Sequence, residues 1–199
     1  MEILTHMLRM TAHFHAGRAL GLLAILGIGF GGVAVADESL EYGVKAAFVY
    51  KFGAYVEWPE TAFASASSPF NLCLVGSDGQ FASTLEKVVG GKRISGRDIV
   101  TRRLKTVERD SGCHILYIGP DEAQHAAQVI EAVRGSNALT VSDTGGSRLG
   151  VGIIDFVIAE NRVRFDIDDE SAAQNGLVIS SKLLSLALNV KRRNSQGGR

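Results

Sequence analysis

Phe70-Asn71-Leu72-Cys73-Leu74-Val75-Gly76-Ser77-Asp78-Gly79 is the stretch on which the fold turns. A short apolar run that breaks at glycine and aspartate has the pattern of a buried strand and its turn. Beyond the turn, Phe81, Leu85, Val88 and Val89 are spaced as one face of a short helix that stops at Gly90-Gly91. Ile99-Val100-Thr101 then reads as a second strand and completes a βαβ unit. The order recurs further on. Cys113-His114-Ile115-Leu116-Tyr117-Ile118 is a strand, Gly119-Pro120-Asp121 a turn, and residues 122–133 a helix bearing Ala126, Val129, Ile130 and Val133. After Gly135, Ala138-Leu139-Thr140-Val141-Ser142 returns as a strand. This β-α-β-β-α-β order predicts a single α/β layered domain, with helices flanking a mixed, mainly parallel sheet.

Outward from that centre, segments 152–158 and 162–167 are joined by Ala159-Glu160-Asn161, short enough for a β-hairpin that adds an antiparallel edge. A final helix is expected over residues 179–190, where Leu183, Leu184, Leu186, Ala187 and Leu188 make a wide apolar stripe that should pack deeply. Towards the N-terminus, residues 38–57 read as a helix, with Glu41 four residues before Lys45 and a stop at Trp58-Pro59. Val44, Phe48, Phe52 and Tyr55 line one side of it, while Ala46, Val49, Tyr50 and Val56 cover much of the other. Such a helix is apolar on too many sides to lie on a surface with one face in water. Either the fold wraps it or another protein does. Tyr50, Phe52, Tyr55 and Trp58 accordingly have two readings, core filling and a platform for a partner.

The first residues have the layout of a secretory signal: Arg9 and Arg18 with several histidines, an apolar and Gly-rich run over 19–35, and Ala34-Val35-Ala36 as a small-x-small cleavage site. The run also approaches the length of a spanning helix, so a retained anchor is the competing reading. Cleavage near Ala36/Asp37 is expected, giving a signal peptide over 1–36, one domain over 37–190 and a flexible basic tail over 191–199. The remaining length suits one self-sufficient core. A formal net charge of +0 gives no electrostatic case for nucleic acid or an anionic membrane. Cys73 and Cys113 are the two cysteines of the chain. In an oxidising compartment an even count is most simply one structural bridge, and the alternative is a reactive thiol without a C-x-x-C setting.

Chemistry is sparse. Gly76-x-x-Gly79 between a strand and a helix can seat a phosphate on free N–H groups, but the further residues of the nucleotide signatures are missing, and a tight turn explains the glycines. No His or Cys cluster has metal-ligand spacing; His114 reads as a strand residue and His125 as a helix surface residue. Asp166, Asp168, Asp169 and Glu170 fit a strand end and an acidic helix N-terminus better than a calcium loop. With no Gly-x-Ser-x-Gly or equivalent, a non-catalytic protein without cofactor or metal is expected; an enzyme using Ser142 or Asp143 is the minor reading.

Taken together, Lys45-Ala46-Ala47-Phe48-Val49-Tyr50-Lys51-Phe52 leading to Val56-Glu57-Trp58-Pro59, then Asn71-Leu72-Cys73-Leu74-Val75-Gly76 and Cys113-His114-Ile115-Leu116-Tyr117-Ile118, resemble the YfiR family of periplasmic proteins. The likeness continues through Leu139-Thr140-Val141-Ser142-Asp143, Arg164-Phe165-Asp166-Ile167 and Gly176-Leu177-Val178-Ile179-Ser180-Ser181-Lys182-Leu183-Leu184. The resemblance implies an exported α/β domain that binds the periplasmic sensor region of a membrane diguanylate cyclase and represses it, lowering cyclic di-GMP. It also implies that Cys73 and Cys113 are bridged and that the protein can form a homodimer. Asp166 and Asp168 stand where relatives often carry Glu or Asn, which leaves the fold expectation intact but not a detailed contact map. An exported small-ligand sensor or carrier, with its pocket at the strand ends, is the alternative.

Overall fold

A computed structural model describes residues 33–145 and 151–193; the expected signal peptide therefore lies almost wholly outside the described residues. Helix α1 (Val33–Ala54) leads into a two-residue strand β1 (Val56–Glu57). The first crossover is β2 (Phe70–Val75), α2 (Gly79–Val89), β3 (Arg93–Ile94) and β4 (Arg97–Arg103). The second is β5 (Ile115–Ile118), α3 (Ala126–Ala132) and β6 (Leu139–Ser142). After the hairpin β7 (Ile154–Ala159) and β8 (Arg162–Asp168) come α4 (Asp169–Gln174), β9 (Val178–Ile179), α5 (Ser181–Leu184) and β10 (Val190–Lys191).

The described residues build an eight-stranded sheet in the order β10-β8-β7-β6-β5-β2-β4-β3, with β1 and β9 paired separately. β2 pairs in parallel with both β4 and β5, β5 with β6, and β6 with β7, so the expected mainly parallel α/β sheet is present. Both faces of its centre are covered because its strands are apolar on both sides. Leu72, Leu74, Ile115 and Tyr117 face α1 and α2, whereas Cys73, Val75, Leu116 and Ile118 face α3. Helix α2 begins where Asp78 accepts a hydrogen bond from the Phe81 N–H, and it buries Phe81, Ala82, Leu85 and Val89. Helix α1 is wrapped by the fold: Ala46, Val49 and Phe52 are fully buried, and Phe52 packs edge-on to Phe165 at 5.0 Å.

Cys73 and Cys113 are bridged, with their Cα atoms 5.7 Å apart, on the α3 side of the sheet. The bond ties β2 to the residue that leads into β5, two strands that are already neighbours.

Several boundaries differ from expectation for tertiary reasons. Helix α1 stops at Ala54 rather than residue 57, because Val56 and Glu57 pair antiparallel with Ile179 and Val178. Helix α3 starts at Ala126, since Pro120–Glu122 is a 3-10 turn held by the Asp121 N–H on the Gly76 carbonyl. The deep final helix is corrected to one turn, α5, capped by Ser180. Beyond it the chain is captured by β8: the Leu188 N–H donates to the Phe165 carbonyl, and the Asn189 N–H and side-chain amide donate to Asp166 Oδ1. Leu183 is buried, but Leu186 and Leu188 are exposed. Consequently the hairpin is not the sheet edge, because β10 lies outside it and parallel to β8. Within the stretch expected as a basic tail, Lys191 pairs with Asp168 and Glu170, and Arg193 with Asp169. Residues 194–199 lie outside the described residues.

Removing the bridge by Cys73→Ser with Cys113→Ser should lower unfolding free energy by roughly 4 kcal/mol, the chain-entropy value for a loop of about 40 residues. Denaturant melts with and without reductant measure it, and a loss confined to oxidising buffer is the expected signature.

Candidate functional site

Ligands of open α/β sheets bind outside the carboxyl ends of the strands, where the crossovers part in opposite directions. Here that point lies between β2 and β5, since α2 covers one face and α3 the other. It is shut. A Cβ on Gly119 would lie within 2.1 Å of the Gly76 carbonyl oxygen, so the two loops are in backbone contact that only glycine permits. Gly76 itself has φ +59 and packs on Glu122. The phosphate reading of Gly76-x-x-Gly79 loses its ground for a second reason: the Asp78 carboxylate already occupies the start of α2.

One strand further along, the carboxyl ends hold a buried ionic network. Lys45, from the middle of α1, is 6% exposed, and its Nζ lies 2.7 and 2.8 Å from the two Asp143 oxygens and 2.5 Å from Glu41. Asp143 follows β6 directly and also accepts from the Tyr117 hydroxyl at 2.7 Å. Burial, together with the adjacent Asp143 charge, pushes the Tyr117 phenol far above its usual range, so it stays protonated and donates. Next to it the Tyr42 hydroxyl bridges Asp78 at 2.5 Å and Glu38 at 2.9 Å. Those two hydrogen bonds, that to Asp78 foremost, and burial raise its phenol likewise. Asp78 is destabilised by burial, but the bonds from Tyr42, Phe81 and Gln80 outweigh this and hold its carboxyl below the usual range. Among the described residues the Ser142 hydroxyl meets that of Thr144 at 3.1 Å, so the Ser142 and Asp143 of the enzyme reading serve as a strand-end contact and a lysine clamp.

Above this network is a hollow of about 530 Å³. Glu38, Glu41 and Tyr42 of α1 form one wall, while Phe156, Val157 and Ile158 of β7 form the other. Pro120 and residues 143–145 close its floor and side.

The aromatic residues singled out in the sequence separate. Phe52 is core, stacked 5.9 Å from Phe48 and 5.8 Å from Phe156, and is withdrawn from any contact surface by its complete burial. Tyr50 is half-buried under Lys92, whose Nζ stands 4.7 Å over its ring, and Tyr55 has Lys182 at 5.4 Å. Trp58 sits apart, its indole N–H donating to the Asn137 carbonyl and its ring edge-on to Phe70. His114 is a structural residue: Nδ1 accepts the Asn71 N–H at 2.9 Å and Nε2 meets the Ala62 carbonyl at 3.0 Å. Its ring stacks between Phe63 and Phe70. His125 is exposed beside Glu122. Asp168 caps α4 by accepting from the Ser171 N–H, and Asp169 and Glu170 lie in its first turn. Among the described residues no group of three His, Cys, Asp or Glu is placed to hold a metal, and no helix is long and apolar enough to cross a membrane.

The Lys45–Asp143 pair was missed in the sequence, where Lys45 was credited only with Glu41. Its signal was a lysine between Val44 and Ala46 and an aspartate ending an apolar strand, each costly to bury without an opposite charge. A family model described as YfiR/HmsC-like matches residues 42–188, a span that includes the whole network. No curated protein matches the chain.

Replacing Lys45 by Met should cost about 3–5 kcal/mol, because it strands a buried carboxylate, whereas Lys45→Met with Asp143→Leu should recover most of the loss. Chemical denaturation of the three proteins decides it. His114 gives a pH signature. Burial, aided by the Arg97 charge, lowers its pKa, so the unfolded chain binds the proton first. Stability from this group is complete above about pH 6.5 and falls as pH drops below it. Melting temperature against pH should flatten in that window in His114→Gln.

Proposed function

The chain belongs to the YfiR/HmsC-like family, whose members are generally non-enzymatic regulators, and from that premise we propose that it is an exported repressor of a membrane diguanylate cyclase. It binds the cyclase's periplasmic sensor region and lowers cyclic di-GMP in the cell. The match over residues 42–188 carries this reading. Two features support it. The Cys73–Cys113 bridge suits an oxidising compartment beyond the cytoplasm, reached with the signal peptide over 1–36. The titratable residues at the strand ends are engaged in holding α1 to the sheet, as a scaffold requires.

The contact residues we assign are Tyr50 on α1 and Tyr55 just beyond its end, with Trp58, which sits apart from them, left out. Ammonium groups of Lys51 and Lys92 lie over the Tyr50 ring and that of Lys182 over Tyr55, so each ring is flanked by basic side chains and fits acidic groups on the sensor region. Repression follows if the cyclase's inactive state offers that face better than the active one, since only the difference in affinity shifts the balance. The alternative, a small-ligand sensor or carrier, has the hollow between α1 and β7 in its favour.

The test is association of the exported chain with the periplasmic segment of the cyclase encoded beside it, read alongside cyclic di-GMP in a deletion strain. We expect binding, a rise in cyclic di-GMP on deletion, and a loss of affinity of about tenfold or more in Tyr50→Ala with Tyr55→Ala. An absence of both binding and any nucleotide change refutes the repressor.

A further inference from the structure

The hollow between α1 and β7 has a charge pattern that selects its occupant. Among the described residues, the carboxylates of Glu38, Glu41 and Asp143 line it against the ammonium of Lys45, an excess of two negative charges. Lys45 is not open to an anion, because an ammonium has three donors and two Asp143 oxygens and one Glu41 oxygen take them. Asp143 in turn is covered by Lys45 and Tyr117, which leaves Glu38, exposed, and Glu41, with a third of its side chain accessible, as the charges facing the space. The opposite wall is apolar, with Phe156 buried and Ile158 more than half exposed. A volume of about 530 Å³ is that of a small-molecule site, and the position is at the carboxyl ends of β5 and β6.

We propose that this hollow binds a small organic amine, its ammonium group on Glu38 and Glu41 and its hydrocarbon body against Phe156 and Ile158. Carboxylates on one wall and an apolar surface on the other match a protonated amine with an alkyl tail and reject the carboxylic acid of the same length. The inference does not depend on the identity of the protein partner. Because α1 supplies both the acidic wall and, on its outer side, Tyr50, an occupied hollow would also stiffen the helix that carries the assigned contact face.

Titration calorimetry of the purified chain with n-hexylamine and with hexanoate tests it. Saturable amine binding is expected, with hexanoate at least tenfold weaker, and Glu38→Gln with Glu41→Gln should weaken the amine about tenfold or more, the scale of a lost charge-assisted hydrogen bond. The melting temperature of the double variant and of Glu38→Gln alone establishes that each is folded. Equal binding of amine and acid, no amine binding, or unaltered binding in the folded double variant overturns the proposal. Association with the cyclase segment, measured in amine-free buffer, is a separate readout, so either result stands without the other.

Discussion

The strands β2, β5 and β6 bury both of their faces, and that single constraint governs the architecture. Every residue of β5 and β6 is buried, so neither side of the sheet can be left to water. Helix α3 and the disulfide shield one side, while α1 and α2 share the other. Helix α1 precedes the sheet in sequence and owes its position to packing: Phe48 and Phe52 fit among Phe156 and Phe165, and Tyr42 meets Phe81 of α2 edge-on. Its broad apolar surface is thus a response to two neighbours, the β7–β8 hairpin and α2, which a helix on a flat surface would not have.

Lys45 gives that hydrophobic layer a direction. Apolar packing alone tolerates sliding, because it has no preferred register. A buried ammonium that must meet Asp143 at the end of β6 fixes α1 along the sheet, and Glu41 and Tyr117 complete the shell. The same device shapes the space above it. By taking up the ammonium of Lys45, the pair keeps that cation from the hollow, where Glu38 and Glu41 stand among the described lining residues.

Much of this was legible along the chain. The apolar runs of β2, β5 and β6, the turn at Gly76-Ser77-Asp78-Gly79 and the glycine stops are local signals with local causes, and their order sufficed for a parallel sheet. The excess hydrophobicity of α1 was visible too, although sequence left open what would cover it. What was not legible depends on partners far away. Val56 and Glu57 look helical until Val178 and Ile179 arrive to pair with them. Residues 185–190 carry a helical stripe, yet Asp166, more than twenty residues back, takes the Asn189 amides and holds the segment beside β8 as an irregular connection to β10. Lys45 and Asp143 are 98 residues apart. Phe52 and Tyr50 differ by two positions, and only the packed neighbours decide that one is core and the other half-exposed.

The strap β10 carries a consequence for how the sheet is finished. Among the described residues, the outer edge of β8 is satisfied by residues 188–191, through the Leu188 N–H on Phe165, Val190 against Ile167 and the ion pair of Lys191 with Asp168. A chain emerging from a ribosome in order therefore leaves that edge of β8 unpaired until residues 188–191 have followed it. Closure of the sheet on that side waits for the segment that follows α5.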